Sequence, residues 1–266
     1  MLDKKFILVG SNSFLSQNFS SFLRKKKIKF LSISYNKFLK LSHKRLKNYE
    51  AILNFSTNND FVHKKYAVKN DFDVKIAKMI KKTNIRFITF STSKVYKSAP
   101  NLKEESLKKP LTNYGKNKLK SENEIKKILS NFVILRVSNI IGRNLKKNKR
   151  RVTMTFFDII RTNLKKNKIL IPRNNFFKDF IFIEDFCIVL HKILFKKIKG
   201  SYNLSSGRKT YLHSIAKMIS CITRIPITYN KEITDSFTLS NFKLLRALKI
   251  RYNFKIINSE NIKKYL

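Results

Sequence analysis

What limits this chain most is the alternation of strand and helix signals between residues 5 and 137. A strand near 5–9 leads into a helix near 14–25, and strands follow near 28–34 and 51–55. Then come a helix near 66–82, a strand at 85–90, a helix carrying Tyr114 to about 129, and a strand at 132–137. Such alternation predicts a parallel sheet wrapped by helices, an α/β doubly wound fold. The strand at 132–137 is nearly all apolar, as strands covered on both faces are. After Asn139 the pattern changes: Met154 to Leu164 reads as an amphipathic helix, Lys168 to Pro172 as a short strand, and Phe186 to Phe195 as a helix. Helix signals recur near 211–222 and 240–248, with a last turn near 259–265.

Chemistry enters at Asn113-Tyr114-Gly115-Lys116-Asn117-Lys118. Positions i and i+4 of a helix share a face, so Tyr114 and Lys118 point at one place. Tyrosine is a poor base at neutral pH, and a nearby ammonium favours its phenolate. The pair can therefore pass a hydroxyl proton during hydride transfer, and it is expected to bring the Tyr114 pKa down. Among ten tyrosines only Tyr114 has this spacing, but lysine is so abundant that the spacing alone also fits a solvated helix face.

The neighbourhood adds weight. The strand Ile85 to Phe90 ends in Ser91-Thr92-Ser93-Lys94-Val95-Tyr96. Hydroxyls at the carboxyl end of a strand in an open parallel sheet lie where ligands bind. At the amino terminus, Lys5-Phe6-Ile7-Leu8-Val9 runs into Gly10-Ser11-Asn12-Ser13-Phe14-Leu15-Ser16 and a helix. A tight strand-to-helix turn of small residues lets backbone amides and the helix dipole meet a pyrophosphate. Of the expected Gly-x-x-Gly-x-x-Gly pattern only Gly10 is present, with Ser13 and Ser16 in the other places. Serine is small and its hydroxyl could contact phosphate, yet each change adds a Cβ where the backbone should approach closely.

In this order the motifs resemble the extended short-chain dehydrogenase/reductases, the nucleotide-sugar epimerase, dehydratase and 4-keto-reductase group. Ala51-Ile52-Leu53-Asn54-Phe55-Ser56 is similar to the strand beside the cofactor, and Asn70 stands at a structural asparagine. Ser91 to Tyr96 and Pro110 to Lys118 resemble the two catalytic segments, with Glu124 at the usual distance. Ile134 to Gly142, Lys178 to Asp185 and Gly200 to Gly207 resemble the segments that reach the substrate and return to the sheet.

The resemblance implies a Rossmann-like sheet in residues 1–145, with 179–207 returning to it, and a small C-terminal substrate-binding lid from 146–178 and 208–266. It implies Thr92, Tyr114 and Lys118 as catalytic residues. Cofactor contacts would fall on Gly10, Ser13, Phe14, Leu15, Ser34, Asn54, Phe55, Ser56, Tyr114 and Lys118, and substrate contacts on Ser93, Asn139 and Lys178. The expected activity is an NAD(P)-dependent oxidoreductase on a nucleotide-activated sugar, 4-keto reduction in surface polysaccharide or deoxysugar biosynthesis. A 4-epimerase of the same family and a non-catalytic dinucleotide-binding relative are the alternatives. Ser93 and Lys94 stand where dehydratases carry Asp-Glu, which argues against elimination, and Lys178 replaces a diphosphate-gripping arginine. The segment from Asn36 to Tyr49 is short for the additional strand, with its acidic residue near adenine, that the group fits there. Counting from the glycine turn, the adenosine-ribose position falls at Ser34, with Lys37 and Lys40 just beyond. No carboxylate is there to repel a 2′-phosphate, so NADP is favoured over NAD.

The formal charge is +43, from 59 Lys+Arg against 16 Asp+Glu. Nucleic acid, anionic surfaces and a coding bias toward Lys, Asn, Ile and Phe would each explain it. The lysines are spread over the whole chain and no nucleic-acid motif accompanies them, which favours the coding bias. The expected partners are therefore a nucleotide-sugar substrate and, as assembly, a homodimer, with no specific nucleic acid and no membrane span. The apolar runs are too short to cross a bilayer, and the first residues read as a strand rather than a signal peptide, so a cytoplasmic location is expected. Two cysteines, Cys187 and Cys221, give no disulfide framework, and four scattered histidines suggest no metal site.

Overall fold

The structure, a computed structural model, describes residues 5–143, 145 and 156–266. The first half runs β1 (Phe6–Val9), α1 (Phe14–Lys25), β2 (Phe30–Ile33), α2 (Tyr35–Leu39), α3 (His43–Leu46), β3 (Ala51–Asn54), α4 (Asn59–His63), α5 (Phe72–Ile80) and β4 (Arg86–Thr92). It continues through α6 (Asn113–Ile128), β5 (Phe132–Val137), β6 (Asn139–Ile141), α7 (Phe156–Leu164), β7 (Ile169–Pro172), β8 (Phe177–Lys178) and β9 (Phe180–Phe182). The chain closes with α8 (Ile183–Phe195), β10 (Gly200–Leu204), β11 (Thr210–Tyr211), α9 (Leu212–Thr223), β12 (Ile227–Asn230), α10 (Phe242–Leu248) and α11 (Ser259–Lys263).

Six strands form one sheet in the order β10-β5-β4-β3-β1-β2, and every neighbouring pair is parallel. The expected doubly wound sheet is thus observed. From β1 the chain goes outward to β2, then returns to β3 and builds the opposite half. The order therefore reverses between β1 and β3, and a crevice opens at their carboxyl ends. Successive side chains of β1 feed opposite faces: Phe6 and Leu8 join one apolar cluster, Ile7 and Val9 the other. One face packs on α5, α6 and the short α2 and α3. The other packs on α1 and α8, where Cys187 is a buried core residue. Core residues of α7, β7, α9, α10 and α11 belong to this second cluster, so the C-terminal segments share their core with the sheet.

Local side chains start the helices. Ser13, Ser34, Ser42, Asn58, Asp71 and Thr112 each occupy an N-cap and accept an amide of the first turn. The Asp71 cap explains one difference from the expected helix near 66–82. It accepts from the Val74 amide at 3.0 Å, so α5 begins at Phe72, after a short 3₁₀ turn at Val68–Asn70. The second strand is also shorter than expected at both ends, and the residues between β2 and β3 form α2 and α3 instead of a strand. This leaves β2 at the sheet edge. Part of the helix expected from Met154 lies outside the described residues, and its remainder is α7.

Among the described residues no helix is long and apolar enough to cross a membrane. The largest fully buried side chain is Arg136, on β5. Its guanidinium makes a forked contact to Glu122 of α6, at 3.0 Å from Nε and 2.6 Å from Nη2, and also donates to the Tyr96 hydroxyl and the Glu104 carbonyl. Breaking one side of a buried pair strands the other charge in a poor solvent. Glu122→Gln is therefore expected to lower the unfolding free energy by about 3 kcal/mol, read as a drop in urea midpoint without a change in slope.

Candidate functional site

A cavity of about 730 Å³ occupies the crevice at the carboxyl ends of β1, β3, β4 and β5. Every residue singled out from the sequence for catalysis, cofactor or substrate lines it. Residues from seven separate stretches of chain thus converge on one volume.

At one end is the turn after β1. Gly10 has φ +92°, and a Cβ there would lie 2.7 Å from the Ser56 amide nitrogen and 2.9 Å from the Phe55 carbonyl carbon. Only glycine fits, and the backbone of β1 comes up against the end of β3. Ser13 caps α1 by accepting the Ser16 amide at 3.2 Å, and Phe14 and Leu15 form the first turn beside the cavity. Ser16 differs from expectation. It is fully buried, lies off the cavity, and its hydroxyl has no partner, so it does not offer a phosphate contact. Ser34 lines the cavity, but its side chain also caps α2 by accepting the Lys37 amide at 3.3 Å. Lys37 itself is exposed. Next to Ser34, the Tyr35 ring stacks on Phe72 with centroids 3.6 Å apart. Burial, then Asp71 and Asp73, pushes the Tyr35 phenol up to about 12.

At the centre, Thr92 ends β4 and accepts the Lys94 amide at 3.3 Å, while Ser93 opens the next turn. Helix α6 crosses directly over that turn. A Cβ on Gly115 would sit 2.3 Å from the Lys94 carbonyl oxygen, so a glycine at this place lets α6 bring Tyr114 to the same wall as Thr92. Asn117 and Asn113 fasten the outer side of α6 by donating to carbonyls of Phe61, Lys64 and His63.

Lys118 is buried, and it is not aimed at Tyr114 alone. Its ammonium donates to Asp73 of α5 at 2.9 Å, with both side chains 6% exposed. Asp73 also accepts from Asn54 Nδ2 at 2.7 Å and from the Thr89 hydroxyl. Asn54 Oδ1 in turn accepts the Ser56 amide at 3.0 Å, so a polar chain runs from the Gly10 turn to Lys118. Burial opposes the Lys118 charge, but Asp73, aided by Tyr114, holds the ammonium above its usual range. Burial raises the Tyr114 phenol. Lys118 pulls it down, Asp73 pushes it up, and the net direction is upward. The expectation of a lowered Tyr114 pKa is therefore corrected for this state: desolvation outweighs the lysine, and a carboxylate outside every sequence motif opposes it. Asp73 had a sequence signal. Positions 73, 76, 77 and 80 lie on one helix face, and the other three are apolar and buried. A carboxylate on that stripe needs a buried partner.

At the far end, Asn139 starts β6 and donates its side-chain amide to the Asp179 carbonyl at 3.1 Å. Lys178 is buried and already paired, to Asp235 and to the Thr234 hydroxyl at 2.8 Å. Burial lowers the Lys178 pKa against Asp235. Burial also opposes the Asp235 charge, but Lys178 and Lys94 hold it below the usual carboxylate range. Asp235, Glu232 and Phe237 also line this end, and no motif in the sequence pointed to them. Taken together, the site offers a helix start and close backbone at one end, a phenol and an ammonium beside a hydroxyl at the centre, and a lysine–aspartate pair at the other.

A family model described as NAD dependent epimerase/dehydratase matches residues 46–205. No curated protein matches the chain. Solved structures do. The dTDP-glucose 4,6-dehydratase of Bacillus anthracis in complex with NAD has a TM-score of 0.78 at 16% identity, over 98% of this chain and 95% of its own. The UDP-glucuronic acid 4-epimerase of Bacillus cereus, with UDP-glucuronic acid and NAD, gives 0.78 at 18% identity, over 98% and 97%. The UDP-glucose 4-epimerase of Thermotoga maritima, with UDP-glucose, gives 0.77 at 13% identity, over 98% and 97%. At these identities the structures establish a shared fold over nearly the whole chain.

The contact at Gly115 is directly testable. Gly115→Ala forces the Lys94 carbonyl and α6 apart, and overpacking of this kind costs about 2 kcal/mol. A fall of that size in the unfolding free energy, measured in urea, is the expected result.

Proposed function

Because the chain belongs to the NAD dependent epimerase/dehydratase family, we propose that it moves hydride between a nicotinamide dinucleotide and a carbon, C4, of a nucleotide-activated sugar. The observation that carries this reading is the convergence of Thr92, Tyr114 and Lys118 on one cavity that ends at the Gly10 turn. The residues present fit a dinucleotide. Gly10 lets the turn pack tightly against the end of β3, and the first-turn amides of α1 face the same end of the cavity. When bound, that cofactor supplies or accepts the hydride. The chain's own residues do the rest. Thr92 hydrogen-bonds the reacting sugar oxygen. Tyr114 gives that oxygen its proton or takes it. Lys118, charged and fixed, holds the nicotinamide ribose.

Two features favour 4-keto reduction. A phenol, protonated at neutral pH, on the cavity wall suits a proton donor to a ketone. Ser93 and Lys94 supply no acid–base couple for water loss. The second reading is a nucleotide-sugar 4-epimerase, favoured by the similar fold of the two epimerases above, and it uses the same three residues. Asn139 and Lys178 would face the substrate, with Lys178 exchanging Asp235 for its diphosphate. We place the reaction in the cytoplasm, in the supply of sugars for polysaccharides. NADP is the preferred cofactor in this proposal, since Ser34 puts a hydroxyl rather than a carboxylate beside the adenosine ribose position.

Purified protein mixed with a 4-keto-sugar nucleotide and NADPH tests the reading. Steady cofactor oxidation is expected. Turnover of a sugar nucleotide without net oxidation would mean epimerase, and neither would mean a non-catalytic relative. Tyr114→Phe should reduce turnover by roughly 10²–10⁴-fold with cofactor affinity nearly unchanged. In direct titrations NADPH should bind more tightly than NADH, and Ser34→Asp should reverse that order.

A further inference from the structure

We propose that Asp73 is a positioning residue of this site: its buried carboxylate fixes the Lys118 ammonium in the cleft and takes up part of its charge, which weakens the pull of Lys118 on the Tyr114 proton. This rests on Tyr114 being the proton-transfer group. Three donors from three different elements converge on Asp73: Asn54 at the end of β3, Thr89 within β4 and Lys118 on α6. Such convergence leaves the carboxylate one orientation. It also fixes Asn54, because Asn54 Oδ1 is engaged by the Ser56 amide and Nδ2 must therefore face Asp73. Among the described residues Lys118 has no other ion pair. Its ammonium otherwise lies 5.4 Å from the centre of the Phe61 ring, an apolar neighbour.

The electrostatic consequence follows from the geometry. A lone buried ammonium one helical turn from a phenol would stabilise phenolate strongly. A carboxylate 2.9 Å from that ammonium makes a near-neutral pair whose field on a third group is much weaker. Of the other ionisable groups facing this cluster, Asp71 also favours the Lys118 charge, by less than Asp73 does. Asp71 is engaged with the Ser121 hydroxyl, the Tyr66 hydroxyl and the Val74 amide. Tyr35 and Tyr66 are phenols raised by burial, Tyr66 with Asp71 and Glu124 beside it, and Lys120 lies over the Tyr66 ring at 5.3 Å. The directions found for Tyr114 agree: Lys118 lowers it and Asp73 raises it.

The test needs no turnover. Tyrosinate absorbance is titrated in the full-length protein, and the component lost in Tyr114→Phe identifies Tyr114 among ten tyrosines. In Asp73→Asn that component should appear at least about one pH unit lower than in the wild type. An unchanged or higher midpoint in a folded variant overturns the proposal. Should Asp73→Asn fail to fold for want of a counter-charge, Asp73→Asn/Lys118→Gln removes both charges. If the pair is near-neutral to Tyr114, its midpoint should stay within about one unit of the wild type. A rise well beyond that would mean that Lys118 acts on Tyr114 unopposed, and the proposal fails. With an active 4-keto-sugar nucleotide, the alkaline limb of the reduction rate should move down in Asp73→Asn alongside the titration. Loss of all wild-type turnover with every substrate would sink the proposed function, while the titration would still decide the role of Asp73.

Discussion

A lysine buried at the floor of a cleft needs a carboxylate, and satisfying that need organises the centre of this molecule. Lys118 keeps its charge chiefly because Asp73 meets it, and Asp73 is held by Asn54 and Thr89. That single pair therefore joins α5 and α6 to the end of β3 and the middle of β4. Through Asn54 and Ser56 it reaches the Gly10 turn, so that end of the cleft and its centre share one polar scaffold. The helix carrying Tyr114 is set by the same constraints. Its inner side is anchored by the ion pair, and its start is pressed against the Lys94 carbonyl through Gly115.

Burial also sorts the cations that composition could not. With 59 Lys+Arg, a lysine at any position is weak information in the sequence. Among the described residues the buried cationic side chains are Lys118, Arg136 and Lys178, and each meets a carboxylate. Two of them line the cleft, and the third locks β5 to α6 behind it. The great excess of positive charge is left to positions where water solvates it. A basic chain of this kind keeps its specific electrostatics in a few desolvated pairs, where interaction is strong, and not in its net charge.

The alternating strands and helices were legible because burial on two faces imposes a periodic apolar pattern on the sequence. Tyr114 and Lys118 were legible because helical geometry fixes which spacings share a face, and Thr92 because it ends an apolar strand. What escaped depended on contacts across the fold. Asp73 contacts Lys118 across 45 positions of chain and sits in an otherwise ordinary amphipathic helix. Asp235 reaches Lys178 across 57, from the irregular segment after β12. The late start of α5 was missed for a local reason: the Asp71 cap competes with helix continuation inside a stretch whose apolar spacing still looks helical.

The two serines at glycine places show why a damaged fingerprint can accompany an intact turn. Ser13 has φ −73°, an ordinary value for an N-cap, and Ser16 lies within the regular helix α1, so neither position demands a glycine backbone. A Cβ there is a packing question, and the buried, unpartnered hydroxyl of Ser16 is its residue. Gly10 is different in kind. Its φ of +92° excludes L side chains, and a Cβ would collide with backbone that cannot rotate away. The fingerprint combines one position fixed by backbone conformation with two fixed only by space. Loss of the second sort lowers the recognisability of the sequence far more than it alters the shape of the turn.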